Sequence, residues 1–193
     1  MSSDVAVVIL AGGQGRRIGG GKPLRRFGGE RLIDRALRQA HRWSGLVAIA
    51  VRDPAQVGPV TARLIRDIDV PGPLGGLISG LLFARENGCE FLLAIPADMP
   101  FLPPDLLDRL HGAIGNHGCA LAASGGHLHP VCGLWRSGSV DRAAAYTSAG
   151  RQSLRGFAQQ VGFACVEWPE GARDPFFNVN TNEQLAEATG AVR

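Results

Sequence analysis

Residues 5–10, Val-Ala-Val-Val-Ile-Leu, form an unbroken apolar run rich in β-branched side chains, and it empties directly into Ala11-Gly-Gly-Gln-Gly-Arg-Arg-Ile-Gly-Gly-Gly-Lys-Pro23. A strand with no polar alternation must be buried on both faces, which points to the middle of a parallel sheet covered by helices. The glycines that follow let backbone N–H groups approach a ligand that side chains would hold away. Arg16, Arg17 and Lys22 add charge suited to phosphate oxygens. Two familiar phosphate loops are excluded by spacing. Counting back from Lys22, the first glycine of a Walker loop falls on Arg16 and its hydroxyl position on Pro23. The third glycine of a dinucleotide fingerprint falls on Ile18. An ordinary glycine-rich turn would not need two arginines and a lysine, so a polyphosphate site of another kind is the better reading.

The rest of the chain alternates strands and helices. Leu32, Ile33, Ala36, Leu37 and Ala40 share one face of a helix over 31–43. Strands are expected at 46–51, 61–67, 91–95, 119–123, 131–135 and 163–168. Further helices are expected at 74–84, from Pro103-Pro104-Asp105 to about 114, around 138–147 and 153–160, and from Thr181. This order predicts an α/β fold: a single-domain, Rossmann-like three-layer sandwich over residues 1–193 with a mostly parallel central sheet. Ligands bind beyond the C-terminal ends of such strands. Residues 10–22 and 96–101 both follow strands and so belong at one edge.

Composition narrows the partners. A charge of +3 with only 6% aromatics lacks the basic, aromatic-interleaved surface of a nucleic-acid binder, and a small anionic substrate fits better. The apolar run at the start is too short for a signal peptide or a membrane span, so no membrane role is expected. Cys89, Cys119, Cys132 and Cys165 form no Cys-x-x-Cys pair, which argues against zinc and suits a reducing cytoplasm. Cys132 and Cys165 are expected to pack as small apolar residues.

Asp98, in Pro96-Ala-Asp-Met-Pro100, follows a strand and stands between prolines. Its carboxylate suits either a Mg²⁺ ligand beside a triphosphate or a turn cap. Asn178 and Asn180 flank Val179 and point to one side of an extended segment. They offer donors and acceptors to a polar heterocycle, while Asn180 is equally placed to precede a helix cap at Thr181. His129 is expected to pack or hydrogen-bond locally.

Leu10-Ala-Gly-Gly13 with Arg17, Gly19-Gly20 and Lys22 resembles the signature loop of the sugar-phosphate-type nucleotidyltransferases. Pro71-Gly-Pro-Leu-Gly-Gly76, Pro96-Ala-Asp98-Met-Pro-Phe101, His129-Pro130 and Phe177-Asn-Val-Asn-Thr181 follow in order. Together they resemble the molybdenum cofactor guanylyltransferases, the MobA family, from residue 5 to about 188. The resemblance implies transfer of GMP from GTP to molybdenum-loaded molybdopterin with release of pyrophosphate and with Mg²⁺ as cofactor. It implies nucleotide contacts from Leu10, Ala11, Gly12, Gly13, Gly20, Lys22, Gly72, Gly76 and Asp98, with Asp98 holding the metal. Arg17 and Lys22 would stabilise phosphate charge in the catalytic step. Asp67 would accept from the guanine N1–H and N2–H₂, although a short segment before Pro71 leaves Asp69 as an alternative. Asn178, Asn180 and Arg155 would face the pterin. Encounters with molybdoenzyme apoproteins and other cofactor-biosynthesis proteins are also implied. Three positions depart from the family: Gly21 stands where an acidic residue is usual, Ala50 where a polar one is, and Ser153 where a basic one is. Alternatives are a cytidylyltransferase using CTP on the same cofactor and a nucleotide-binding domain without turnover.

Overall fold

The computed structural model of the chain describes residues 4–12, 21–169, 171 and 174–179. Strand β1 (Val5–Leu10) is central, as its composition requires. It pairs in parallel with β4 (Val47–Val51) on one side and β6 (Phe91–Pro96) on the other. Beyond β4 lies β5 (Arg63–Arg66), also parallel. Beyond β6 come β8 (His127–Arg136), β7 (Cys119–Ser124) and β9 (Phe163–Trp168), giving the order β5-β4-β1-β6-β8-β7-β9. Within this sheet, among the described residues, only the pairings of β8, with β6 and with β7, are antiparallel. A short hairpin, β2 (Arg26–Phe27) with β3 (Glu30–Arg31), stands apart.

Side chains of β1 alternate between two cores. Val5, Val7 and Ile9 pack with α1 (Leu32–Trp43) and α3 (Leu106–Ala113). Ala6 and Val8 face α2 (Leu74–Glu86), and the same core continues to α4 (Ala143–Ser148) and α5 (Leu154–Val161). This is the expected three-layer α/β sandwich. No helix among the described residues is long and apolar enough to cross a membrane. The expected helix from Thr181 lies outside the described residues.

Three expectations need correction. Strand β8 begins at His127, not Val131, because it runs straight out of the Gly125-Gly126 turn and its polar first residues disguise it. Pro130, which has no N–H to give a ladder, falls where the register with β7 shifts between Leu121 and Ala122. The helix expected near 138–147 is a 3-10 segment, Ser137–Arg142, leading into α4. Cys165 is exposed, whereas Cys132 is fully buried. On β9, at the sheet's end, alternation turns Val166 and Trp168 inward and Cys165 outward.

Helix α2 lies close on the sheet because Gly80 presents no side chain to it. A Cβ there would stand 2.8 Å from Val8 Cγ1 and 2.9 Å from Leu92 Cδ2. Gly80→Ala gains about 1 kcal/mol of helix propensity, but overpacking costs about 1–3 kcal/mol. A net loss near 1 kcal/mol, lowering Tm by about 2–4 °C, is the expected result of a thermal melt. An unchanged or raised Tm would show that helix and sheet can part without strain.

Candidate active site

The parallel strands β5, β4, β1 and β6 all end at one edge of the sheet. The chain leaves β1 through α1 to β4 and β5, then returns through α2 to β6 on β1's other side. A crevice at the strand ends is the consequence of that reversal. Here it is a cavity of about 350 Å³, and Leu10, Ala11, Gly12, Lys22, Asp67, Gly72, Gly76, Asp98 and Asn178 all line it. Sequence positions 10 to 178 thus converge on one site.

Lys22 opens a 3-10 turn whose preceding residue, Gly21, has φ 63°. Gly21, one of the departures noted above, takes that left-handed conformation without strain. The Lys22 ammonium forms an ion pair with Asp98 Oδ2 and donates to Asn178 Oδ1 at 2.9 Å. Asp98 lies just past β6, and its backbone carbonyl accepts from Val179 N–H at 3.0 Å. Its other carboxylate oxygen, Oδ1, is buried and has no hydrogen-bond partner among the described residues. A buried carboxylate oxygen without a donor is costly unless a ligand completes it.

Asp67 follows β5, anchored by its N–H to Val51 O at 2.8 Å. Its carboxylate is seated on two glycines. A Cβ on Gly12 would come within 2.2 Å of Oδ2, and one on Gly76 within 3.2 Å of Oδ1. Oδ1 is buried and without a hydrogen-bond partner among the described residues. Burial raises the Asp67 pKa above the ordinary carboxylate value, and the nearby Arg52 charge pulls it partly back. Asp69 is exposed and is not part of the lining, so Asp67 is the carboxylate of this pair that faces the cavity. Ala50, the second departure, is fully buried, with its Cβ 3.3 Å from where a Cβ on Gly76 would lie.

The cavity also takes in Pro23, Arg52, Pro73, Pro96, Ala97 and Val131, which sequence reasoning passed over. Arg52 was findable: it is the first residue beyond β4, at the end where ligands bind. Arg155 is not brought to the cavity but sits on the exposed side of α5. Ser153, the third departure, caps that helix by accepting from Gly156 N–H at 3.2 Å. Gly13, Arg17, Gly20 and Asn180 lie outside the described residues. His129 bonds and stacks locally, as expected, with Nε2 2.8 Å from Ser124 Oγ and its ring stacked on Phe176.

The MobA-like NTP transferase domain model matches residues 7–164. The chain belongs to the MobA-like NTP transferase family. Among its curated relatives, the molybdenum cofactor guanylyltransferase of Cereibacter sphaeroides is 38% identical over 188 residues, covering 96% of each chain. That of Bradyrhizobium is 41% identical, over 97% of this chain and 92% of its own. The crystal structure of molybdopterin-guanine dinucleotide biosynthesis protein A from Archaeoglobus fulgidus superposes with a TM-score of 0.78 at 20% identity, covering 97% of this chain and 98% of its own. A 4-diphosphocytidyl-2C-methyl-D-erythritol synthase from Anaerococcus prevotii reaches 0.74 at 12% identity, covering 97% and 95%. The fold is therefore shared by enzymes named for different nucleotides, and the fold alone does not set base preference.

Proposed function

We propose that this chain transfers GMP from GTP to the terminal phosphate of molybdenum-loaded molybdopterin, releasing pyrophosphate, in the cytoplasm. The names of its relatives support the reaction, and the observation that carries the choice of base is the Asp67 carboxylate. Guanine presents two adjacent donors, N1–H and N2–H₂, whereas cytosine offers one donor beside two acceptors. An ionised carboxylate seated between Gly12 and Gly76, with a buried oxygen lacking a protein donor, matches the guanine edge.

The reaction needs little covalent participation by protein groups, because in-line displacement at phosphorus depends on positioning and charge. The backbone at Leu10, Ala11 and Gly12 and the glycines of the 72–76 turn leave room for the nucleotide. Lys22 supplies positive charge for the α-phosphate and the departing pyrophosphate. The Asp98 donor set fits Mg²⁺: a hard carboxylate oxygen, buried and unpartnered, lining the cavity where a triphosphate would bring the remaining oxygens. Bound there, Mg²⁺ would neutralise phosphate charge and favour pyrophosphate departure. Gly13, Gly20 and Arg17 are assigned to the same nucleotide loop, and Asn178 and Asn180 to the side that receives the pterin.

The test measures pyrophosphate release with molybdopterin as acceptor and GTP, CTP or ITP as donor, in wild type and Asp67→Asn. GTP should be preferred over CTP, with ITP intermediate because it lacks the 2-amino group. Asp67→Asn, which trades one acceptor for a donor, should lower kcat/KM for GTP by about tenfold to a hundredfold. Equal use of CTP would reassign the base, and binding without pyrophosphate release would reduce the protein to a nucleotide-binding domain.

A further inference from the structure

The segment 174–179 carries Asn178 to the Lys22 ammonium, and its own anchorage is unusually complete. Asp174 Oδ1 accepts from Ser124 Oγ at 2.8 Å and from Phe176 N–H at 2.9 Å. The Asp174 carbonyl accepts from Phe177 N–H at 3.2 Å. Ser124, the last residue of β7, is buried, and its Oγ also lies 2.8 Å from His129 Nε2 on β8. Phe176 is buried between rings, stacked on His129 at 4.8 Å and edge-on to Trp168 at 5.3 Å. At the far end of the segment, Val179 N–H donates to the Asp98 carbonyl.

Proton counting fixes the direction of this chain of bonds. A serine hydroxyl has one hydrogen, and the Asp174 carboxylate can only accept, so that hydrogen goes to Asp174. The Ser124 oxygen must then accept, and His129 Nε2 carries the hydrogen it receives. Burial lowers the His129 pKa, which favours the neutral imidazole; the hydrogen on Nε2 follows from the proton count alone. The single Ser124 hydroxyl thereby links the His129 ring to the Asp174 carboxylate.

We infer that Ser124, His129 and Asp174 are positioning residues for the transfer reaction, holding segment 174–179 against the β7–β8 hairpin so that Asn178 fixes the Lys22 ammonium beside Asp98. The inference rests on the functional reading above, since it treats Lys22 and Asp98 as reaction machinery. Without Asn178, the ammonium keeps Asp98 but loses a partner that helps set its direction. Preorganised charge loses effect when its geometry loosens.

A double-mutant cycle tests this in the full-length protein. Ser124→Ala and Asp174→Ala are each made alone and with Asn178→Ala, and guanylyl transfer and amide hydrogen exchange are measured. Each latch variant should lower kcat by about fivefold to tenfold, with KM for GTP within about twofold, the effect of one hydrogen bond felt at the reaction step. In the Asn178→Ala background the same change should cost under about twofold, because its output is already gone. Ser124→Thr, which keeps a hydroxyl, should recover most of the loss. The Val179 amide should exchange faster in the latch variants while the Leu93 amide in β6 does not. Additive losses, an Asn178→Ala protein with normal kcat, or unaltered Val179 exchange would each overturn the inference. If wild type fails to transfer GMP at all, the functional reading is at fault, and the exchange measurement still judges the latch.

Discussion

Asp98→Asn should cut guanylyl transfer by about a thousandfold or more while leaving the thermal melt within about 2 °C of wild type. The two halves of that expectation come from different atoms of one residue. Its backbone carbonyl ties segment 174–179 to the end of β6 through Val179, and asparagine keeps that bond. The side-chain volume is also kept, so no cavity opens. What disappears is the negative charge, paired on one oxygen with Lys22 and buried without a protein donor on the other. An amide is a poor ligand for a hard cation beside a triphosphate, and it cannot balance the Lys22 charge between turnovers. The decisive measurement is single-turnover transfer in excess Mg²⁺ alongside a calorimetric or circular-dichroism melt. Near-normal turnover by the folded variant would remove Asp98 from the reaction; a collapsed melt would show that the charge pair mainly holds the fold.

Much of this arrangement was legible in the chain, for identifiable reasons. Uniformly apolar runs at β1, β4 and β6 announced a sheet covered on both faces, and the helical spacing of Leu32 to Ala40 announced one of its covers. Knowing that ligands gather at strand ends was enough to place residues 10–12 and Asp98 at one edge, whereas Asp67 and Asp69 were separated only by the structure, which lines the cavity with Asp67. Strands β2 and β3 carry no such signal, since two residues each cannot show a period. Strand β8 hid behind two histidines and a proline, whose tolerance depends on the register shift opposite it, a property of the pairing and not of the strand. Asn178 was assigned to the pterin side by the family resemblance, at a position far along the chain from the phosphate loop. The fold cancels that separation, and the amide touches Lys22. Long-range contacts of single polar side chains are set by tertiary placement, so neither spacing nor composition could supply this one. The exposure of Cys165 has the same origin, for its strand ends the sheet.

Lys22→Ala should lower kcat by about a hundredfold to a thousandfold and leave KM for GTP within a fewfold. The distinction follows from what the ammonium does before and during reaction. In the resting site it is shared between Asp98 and Asn178, both supplied by the protein, so binding GTP must draw it partly away from existing partners. Its net contribution to ground-state affinity is therefore small. As pyrophosphate departs, negative charge grows on the phosphate oxygens, and a cation already held at the cavity wall gains interaction energy at that moment only. Lys22→Arg tests the geometry separately from the charge. The guanidinium is larger and planar, and it would have to fit against Asp98 and Asn178 in a turn that begins at Gly21, so it should recover only a minor part of the lost rate. The two substitutions are compared by pre-steady-state transfer and by direct GTP titration. If Lys22→Ala weakens GTP binding as much as it lowers kcat/KM, with kcat unchanged, the lysine is an anchor for the nucleotide, and stabilising the leaving group would fall to the proposed roles of Arg17 and of Mg²⁺ at Asp98.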